Sequence, residues 1–242
     1  MPLKCLMLTL FKMISTITIN LSFYNQNEVL KKHILGWKSY PEEIKNQFSF
    51  CIVDDCSKTS AVEVLKDIDL SDLDINIYRV EEDLFCNIAG VRNLSAKACQ
   101  TEWMVILDMD TMISSELAEK MLELSESDSG NCFKFNRRDP NGVKNNRAHP
   151  AVCLLKREDY WNVGGCEEDL VGNYGYTDPS FWHRAQGKIK VHTLNDAYLD
   201  YITAGESEIT RNTSYNGGLF MEKTRKNNWS TDFIRFKWEK IL

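Results

Sequence analysis

The sequence predicts an α/β protein with a mostly parallel sheet covered by helices on both faces. Over the first 125 residues, short β-branched or apolar runs alternate three to four times with segments that repeat apolar residues at helical spacing. A parallel sheet needs a helical crossover between successive strands, so this alternation points to one. The composition agrees. Of 242 residues 43% are hydrophobic and 26% charged, with only 5 Pro and 12 Gly, which supplies a sizeable core and excludes collagen-like, low-complexity and largely disordered chains.

Residues 14–22 are rich in Ile and Thr and read as the first strand. A helix over 28–38 follows, with Leu30, Ile34 and Trp37 on one face. Phe48 to Val53 form a buried second strand, and Ala61, Leu65 and Ile68 mark the next helix. Residues 75–80 make the third strand, 88–100 a helix of small residues, and 103–107 the fourth strand. Ser114 or Ser115 then caps a helix that carries Leu117, Met121 and Leu124. The second half is less regular. A loop rich in Asn, Arg and Lys is expected over 136–148, a strand over 151–155 and a short helix over 157–162. A Gly-rich stretch covers 164–176, and a further helix starts near Pro179. No repeat or linker divides the chain. Residues 13–242 read as one domain, with a first half to about 125 and a loop-rich second half from 126, behind an N-terminal extension of residues 1–12. That extension is apolar but broken by Lys12, and Met13 is a natural start.

A net charge of −6 argues against nucleic-acid binding by the surface as a whole. The eight cysteines form no C-x-x-C pair and sit mostly in apolar runs, which suits free buried thiols in a reducing compartment better than a zinc site or a disulfide scaffold. Sequons at Asn20, Asn93, Asn212 and Asn228 carry little weight beside this. No run approaches the ~18 apolar residues of a membrane span. The expected location is cytoplasmic, with peripheral membrane contact left open.

The chemistry gathers at strand ends. In open parallel sheets ligands bind at the carboxyl edge. Ser22 to Asn25 follow the first strand, Asp54 and Asp55 the second, and Asp108 and Asp110 the fourth. Two carboxylates at i and i+2, where the chain leaves the sheet, suit Mg²⁺ or Mn²⁺ shared with a diphosphate. The plain alternative is a turn residue and a solvated neighbour.

Residues 17–25 and 53–57 resemble the opening blocks of glycosyltransferase family 2 and its GT-A relatives. Gly90 to Asn93 before Ile106 to Asp110, then Val163 to Asp169, then Gly175 to Asp178, resemble the later blocks in the same order. Gly172 to Asp178 with Phe181 to Arg184 is also similar to the β-1,4-galactosyltransferases. The resemblance covers about 14–200. It implies a GT-A fold with a Rossmann-like sheet and a loop-rich acceptor half, and a metal-dependent, inverting transfer of a hexose. The donor would be a nucleotide-diphosphate sugar, a UDP-sugar first, and the acceptor a hydroxyl of a glycan, glycolipid or glycoprotein. Ser22, Tyr24 and Asp55 would line the base pocket. Asn87, Arg92 and Asn93 would lie near the ribose or phosphates, unless they serve the helix itself. Asp108 would reach the ribose or metal, Asp110 the metal, and Asp178 would be the general base. Asp178 before Pro179 also fits a helix N-cap, and Glu167, Glu168 and Asp169 are acceptor-side alternatives.

Two departures stand out. Thr177 occupies the place where the family has Glu. No histidine follows around 196–200 as a metal ligand, which leaves Asp200, His192 or water. Trp161, Tyr174, Tyr176 and Trp182 offer either sugar-stacking faces or ordinary core. Arg137, Arg138, Lys144 and Arg147 offer either a flap over the diphosphate or a solvated loop. Residues 223–240 read as a basic amphipathic helix around Trp229, Phe233 and Phe236, packed on the domain or resting on a membrane. The competing functions are a non-catalytic nucleotide-sugar or glycan binder, and a nucleotidyltransferase. The latter would want a Gly- and Lys-bearing phosphate loop that Ser22 to Gln26 do not supply.

Overall fold

The computed structural model describes residues 15–203 and 210–242; the extension at 1–12 and the start at Met13 lie outside them. Strands β1 (Ile17–Phe23), β2 (Phe48–Asp54), β3 (Asp74–Val80) and β4 (Trp103–Leu107) run parallel in the order β3-β2-β1-β4. Phe23 lies opposite Asp54 and Leu21 opposite Leu107, so the carboxyl ends of β1, β2 and β4 come out together at one edge.

Both faces of the sheet are buried, for a reason visible in its alternation. Ile17, Ile19, Leu21 and Phe23 point into a core closed by α1 (Asn27–Lys38), the short α2 (Glu42–Lys45), α3 (Ala61–Leu65) and α5 (Ser115–Leu124). Ser114 is the residue that caps α5, accepting the Leu117 amide hydrogen at 3.2 Å. On the other face lies α4 (Ile88–Ala98), whose small residues permit a close approach. A Cβ on Gly90 would sit 2.1 Å from Asn87 Oδ1 and 2.4 Å from Phe236 Cε1.

Beyond β4 the sheet changes direction. A short β5 (Thr111–Met112) leaves the Asp108 turn. The strand β6 (Asn131–Arg138) occupies residues expected in part as loop, and a two-residue β7 (Lys144–Asn145) folds back on it. Its Cys/Phe/Lys/Phe/Asn alternation was readable, but its charged end merges with the Asn- and Arg-rich tract. After it come β8 (Cys153–Lys156), α6 (Arg157–Val163), α7 (Thr177–Ala185) and β9 (Lys190–Tyr201). Since β8 is antiparallel to both β4 and β6, β6 runs with β4 and brings Asn136 to Arg138 to the acidic edge. All seven described cysteines are free, six of them buried.

The C-terminus corrects an expectation. The helix α8 spans Ser214–Lys226, and 229–237 are not helical. Trp229, Phe233 and Phe236 have helical spacing, but Ile234 adopts φ 61° while the buried Glu168 carboxylate accepts the Ile234 and Arg235 amide hydrogens at 2.7 to 3.3 Å. The aromatic side chains turn inward instead. Phe236 packs with Val53, Val91 and Leu94, Phe233 lies on Trp161, and Trp229 on Phe220. The chain then adds β10 (Trp238–Lys240) antiparallel to β3. A membrane contact through an amphipathic C-terminal helix therefore has no basis. Among the described residues no helix is long and apolar enough to cross a membrane.

Candidate active site at the carboxyl edge of the sheet

The loops after β1 and β2 are tied to each other. Asn25, in a left-handed conformation, donates its amide hydrogen to Ser57 Oγ at 3.0 Å, and its Oδ1 accepts the Lys58 amide hydrogen at 2.8 Å. The paired acids there divide their work. Asp54 is wholly buried and spent on structure: it accepts the Ser57 and Ala61 amide hydrogens and pairs with Arg79 at 2.6 Å. Asp55 keeps one oxygen free. Its Oδ2 accepts the Asn87 amide hydrogen at 3.3 Å, while Oδ1 is buried with no partner.

Burial pushes the Asp55 carboxyl up to about 6; hydrogen bonds from Asn87 act the other way, and the Asp83 and Asp54 charges add to the rise. A carboxyl raised above its unfolded value binds its proton more tightly in the native state, so stability falls as pH climbs from about 4 to about 6 and is level above that. Asp55→Asn is thus expected to stabilise the protein at pH 7.5 by up to ~3 kcal/mol, an advantage that shrinks at pH 4.5. Urea melts of both proteins at the two pH values measure it; an equal difference at both would refute the assignment.

Tyr24 donates from its hydroxyl to Asp83 at 3.3 Å, which joins the β1 loop to the loop after β3, and Ser22 stands half-buried at the end of β1. Asn87 is fully buried beside Asp55. Asn93 sits deeper, with its amide saturated inside the protein. Its Oδ1 accepts from Tyr160 and Cys166, and its Nδ2 donates to Cys166 O and Glu168. Asn93 therefore supports the site from within.

Arg92 lies at the centre. The residue is only 5% exposed, and its guanidinium donates to Asp178 Oδ1 at 2.6 Å and to Asp108 Oδ1 at 2.8 Å. Burial works against the charge, but the two carboxylates outweigh it and hold its pKa far above the usual value. One side chain thus joins the first acid of the β4 turn to the acid on α7. Asp178 is not the N-cap: Tyr176 holds that place with φ 64°, and Asp178 lies inside the first helical turn with its carboxylate on Arg92.

The turn carrying Asp108 and Asp110 is anchored by His33 of α1, which carries no motif that would mark it in the sequence. Its Nε2 donates to Met109 O at 3.2 Å, and burial lowers its pKa to about 4, so it stays neutral. A histidine does stand beside this pair: His149, from the segment before β8. Asp108, Asp110 and His149 each offer one ligand atom within 4.8 Å of the others. His149 Nε2 is 3.5 Å from Asp110 Oδ1, too long for a well-formed hydrogen bond, and that oxygen is otherwise buried without a partner. Burial would raise the Asp110 carboxyl, yet His149 and Arg137 bring it below its usual value. An orphaned carboxylate oxygen beside a second carboxylate and an imidazole fits a divalent cation such as Mn²⁺. One detail qualifies the imidazole. His149 Nδ1 accepts amide hydrogens from Ala151 and Val152 at 3.2 and 3.1 Å, which places the neutral ring's proton on Nε2. Ligation through Nε2 would place that proton on Nδ1 and break both contacts.

Asp200 and His192, the other candidate ligands in the sequence, are engaged elsewhere. Asp200 pairs with Arg138, and His192 bonds Asn131 while stacking on Phe133. Glu167 and Glu168 are buried and bind main-chain amides of 230, 234 and 235, while Asp169 pairs with Lys223 and Arg235. Glu167 and Glu168 are therefore neither solvated nor open to an acceptor, whereas Asp169 stays exposed beside its two cations. The four aromatic residues are also dispersed. Trp161 lies on Phe233 and Trp182 on Phe181, Tyr176 on Phe220, and Tyr174 beneath Arg211.

A parallel core continued by antiparallel β8 and returning β6, with its acids at the carboxyl edge, is the GT-A fold of glycosyltransferases, and solved structures share it. S. aureus TarS 1-349 aligns with a TM-score of 0.62 at 16% identity, over 77% of this chain and 60% of that one. A mannosyltransferase from Pyrobaculum calidifontis, solved with GDP-Man and Mn²⁺, aligns at 0.62 and 16%, over 81% and 58%. GalNAc-T7, solved with UDP, GalNAc and Mn²⁺, aligns at 0.63 and 12%, over 81% and 45%. The chain thus spans at most 60% of the length of these three. In sequence, the family model described as Glycosyl transferase family 2 matches residues 18–185, well over half of the chain, and the chain belongs to that family. A search of curated proteins finds no match.

Proposed function

We propose that the protein transfers a hexose from a nucleotide-diphosphate sugar to an acceptor hydroxyl, with inversion at the anomeric carbon. The observation that carries this reading is the Arg92 bridge, because it holds Asp178 and Asp108 within the width of one guanidinium. A base on α7 and the donor-side turn then meet at one point, where acceptor and anomeric carbon have to meet.

In this reading Asp55 Oδ1, buried and unpartnered, accepts a ring N–H of the base, and Tyr24 and Ser22 from the end of β1 complete the pocket. Uracil and guanine both offer such an N–H, and a UDP-sugar is the first expectation, ahead of GDP. Asp108 and Asp110 would hold Mn²⁺ or Mg²⁺, with His149 as third donor after its proton shift. The cation, when bound, neutralises charge on the departing diphosphate. Asp178 takes the proton of the acceptor hydroxyl as its oxygen bonds to the anomeric carbon. The bond from that carbon to the phosphate oxygen breaks, and the nucleoside diphosphate leaves with the electron pair. A glycan, glycolipid or glycoprotein hydroxyl fills the acceptor role.

A thermal-shift panel of UDP-, GDP-, dTDP- and CMP-sugars, with and without Mn²⁺, tests the donor site. A ligand at 100 times its Kd stabilises by ~2.7 kcal/mol, or roughly 5–10 °C for a chain of this size. One nucleotide is expected to give that shift with Mn²⁺ and to lose it in Asp110→Ala. Absence of a shift with every nucleotide would sink the proposal. A shift without any nucleotide release, across varied acceptors, would identify a non-catalytic binder.

A further inference from the structure

The family match ends at residue 185, yet the loop that leads to Asp178 is held by residues that lie beyond it. Asn216, on α8, is completely buried. Its Nδ2 donates to three carbonyls of that loop, Leu170 O at 3.0 Å, Asn173 O at 2.8 Å and Gly175 O at 2.9 Å. The next residue, Gly217, lies against the Tyr176 side chain so closely that a Cβ there would be 3.1 to 3.2 Å from two ring carbons and the hydroxyl oxygen. On the far side of Asp178, His183 of α7 meets Phe220 of α8 at 5.9 Å, and Phe220 also lies on the Tyr176 ring at 5.4 Å. The same helix therefore grips the chain both before and after Asp178. Tyr176 itself holds φ 64°, which a tyrosine adopts only where its surroundings impose it.

We infer that α8 is a positioning element for Asp178: Asn216 fixes the 170–175 loop, and Gly217 admits the Tyr176 ring that sets the start of α7. The inference rests on the reading of Asp178 as the base. An Asn side chain has only two donor hydrogens, so three carbonyls converging on Nδ2 specify the loop's path closely. A shift of the loop moves Asp178 relative to the donor, and misplacements on the 1 Å scale lower rates by up to about 10²-fold.

Gly217→Ala presses a methyl group on the Tyr176 side chain, while the higher helix propensity of alanine offsets part of that strain. The variant should melt close to the wild-type temperature and keep the donor-induced shift. Its release of nucleoside diphosphate from the donor selected by the panel should be about tenfold slower in kcat at unchanged donor KM. Asn216→Ala and the near-isosteric Asn216→Asp should speed amide hydrogen exchange across 170–178 while β1 to β4 stay protected. Unchanged exchange at 170–178 in the Asn216 variants overturns the inference, whether or not turnover is detected. So does wild-type kcat in Gly217→Ala, or loss of melting temperature and donor shift together in all three variants. Asp178→Asn, run in parallel, tells the two readings apart. If it retains wild-type turnover, the assignment of the base has failed, while the exchange result still reports on the grip of α8.

Discussion

Asp178→Asn is expected to lower transfer by roughly 10²- to 10⁴-fold while leaving the donor-induced thermal shift in place. The isosteric amide keeps the size of the side chain and an oxygen able to accept from Arg92, so the bridge to Asp108 survives in outline. What it loses is the ability to take a proton. In the proposed reading donor affinity rests on Asp55 and the Asp108 turn, whose residues the substitution leaves in place, and the loss should fall on kcat. Initial rates of nucleotide release at saturating donor, set beside the thermal shift, decide the matter. Full activity in Asp178→Asn would remove Asp178 from the chemistry.

Arg92→Ala should harm both the fold and the function. The guanidinium is almost completely buried, and its removal leaves two carboxylates, each about 30% exposed, facing each other without a counter-charge. Removal of one partner from a buried pair commonly costs about 3–5 kcal/mol. Partial exposure of Asp108 and Asp178 brings the expectation down to ~2–3 kcal/mol, or roughly 5–10 °C in melting temperature. Arg92→Lys should recover only part of this, because one ammonium does not reproduce two divergent N–H groups at 2.6 and 2.8 Å. Adding Asp108→Asn to Arg92→Ala should restore some stability by removing the repulsion. Denaturant melts of the four proteins form the comparison. If the double variant is no more stable than Arg92→Ala alone, repulsion between the two carboxylates is not what destabilises it.

The first half of the fold was readable because its code is local. β1 to β4, α1 and α4 declare themselves through β-branched runs and helical spacing, and parallel register then brings Asp55, Asp108 and Asp110 to one edge. The rest depends on contacts distant in sequence. His149 stands outside any motif, and only the fold of the segment before β8 brings it to Asp110, 39 positions away. Arg92 stands in a recognisable block, but that it spans Asp108 and Asp178 depends on where α7 packs. The aromatic residues at 229, 233 and 236 keep a helical period and yet form no helix, since Glu168, more than 60 residues earlier, captures two amides there. Glu167 and Glu168 have the acidic look of solvated residues and are core because the chain beyond 213 folds back over them.

That return of the chain has a consequence for how the protein is made. β3 has β2 on one side, and its other side is paired by β10. When the ribosome has delivered residue 80, the parallel core can begin to assemble, but residues 81–237 must still emerge before that side of β3 is covered. Until then a nascent chain presents an open strand edge, the kind of surface that recruits other chains. Truncation before Trp238 should therefore reveal itself first as aggregation during synthesis, and chaperone demand should be concentrated in that interval.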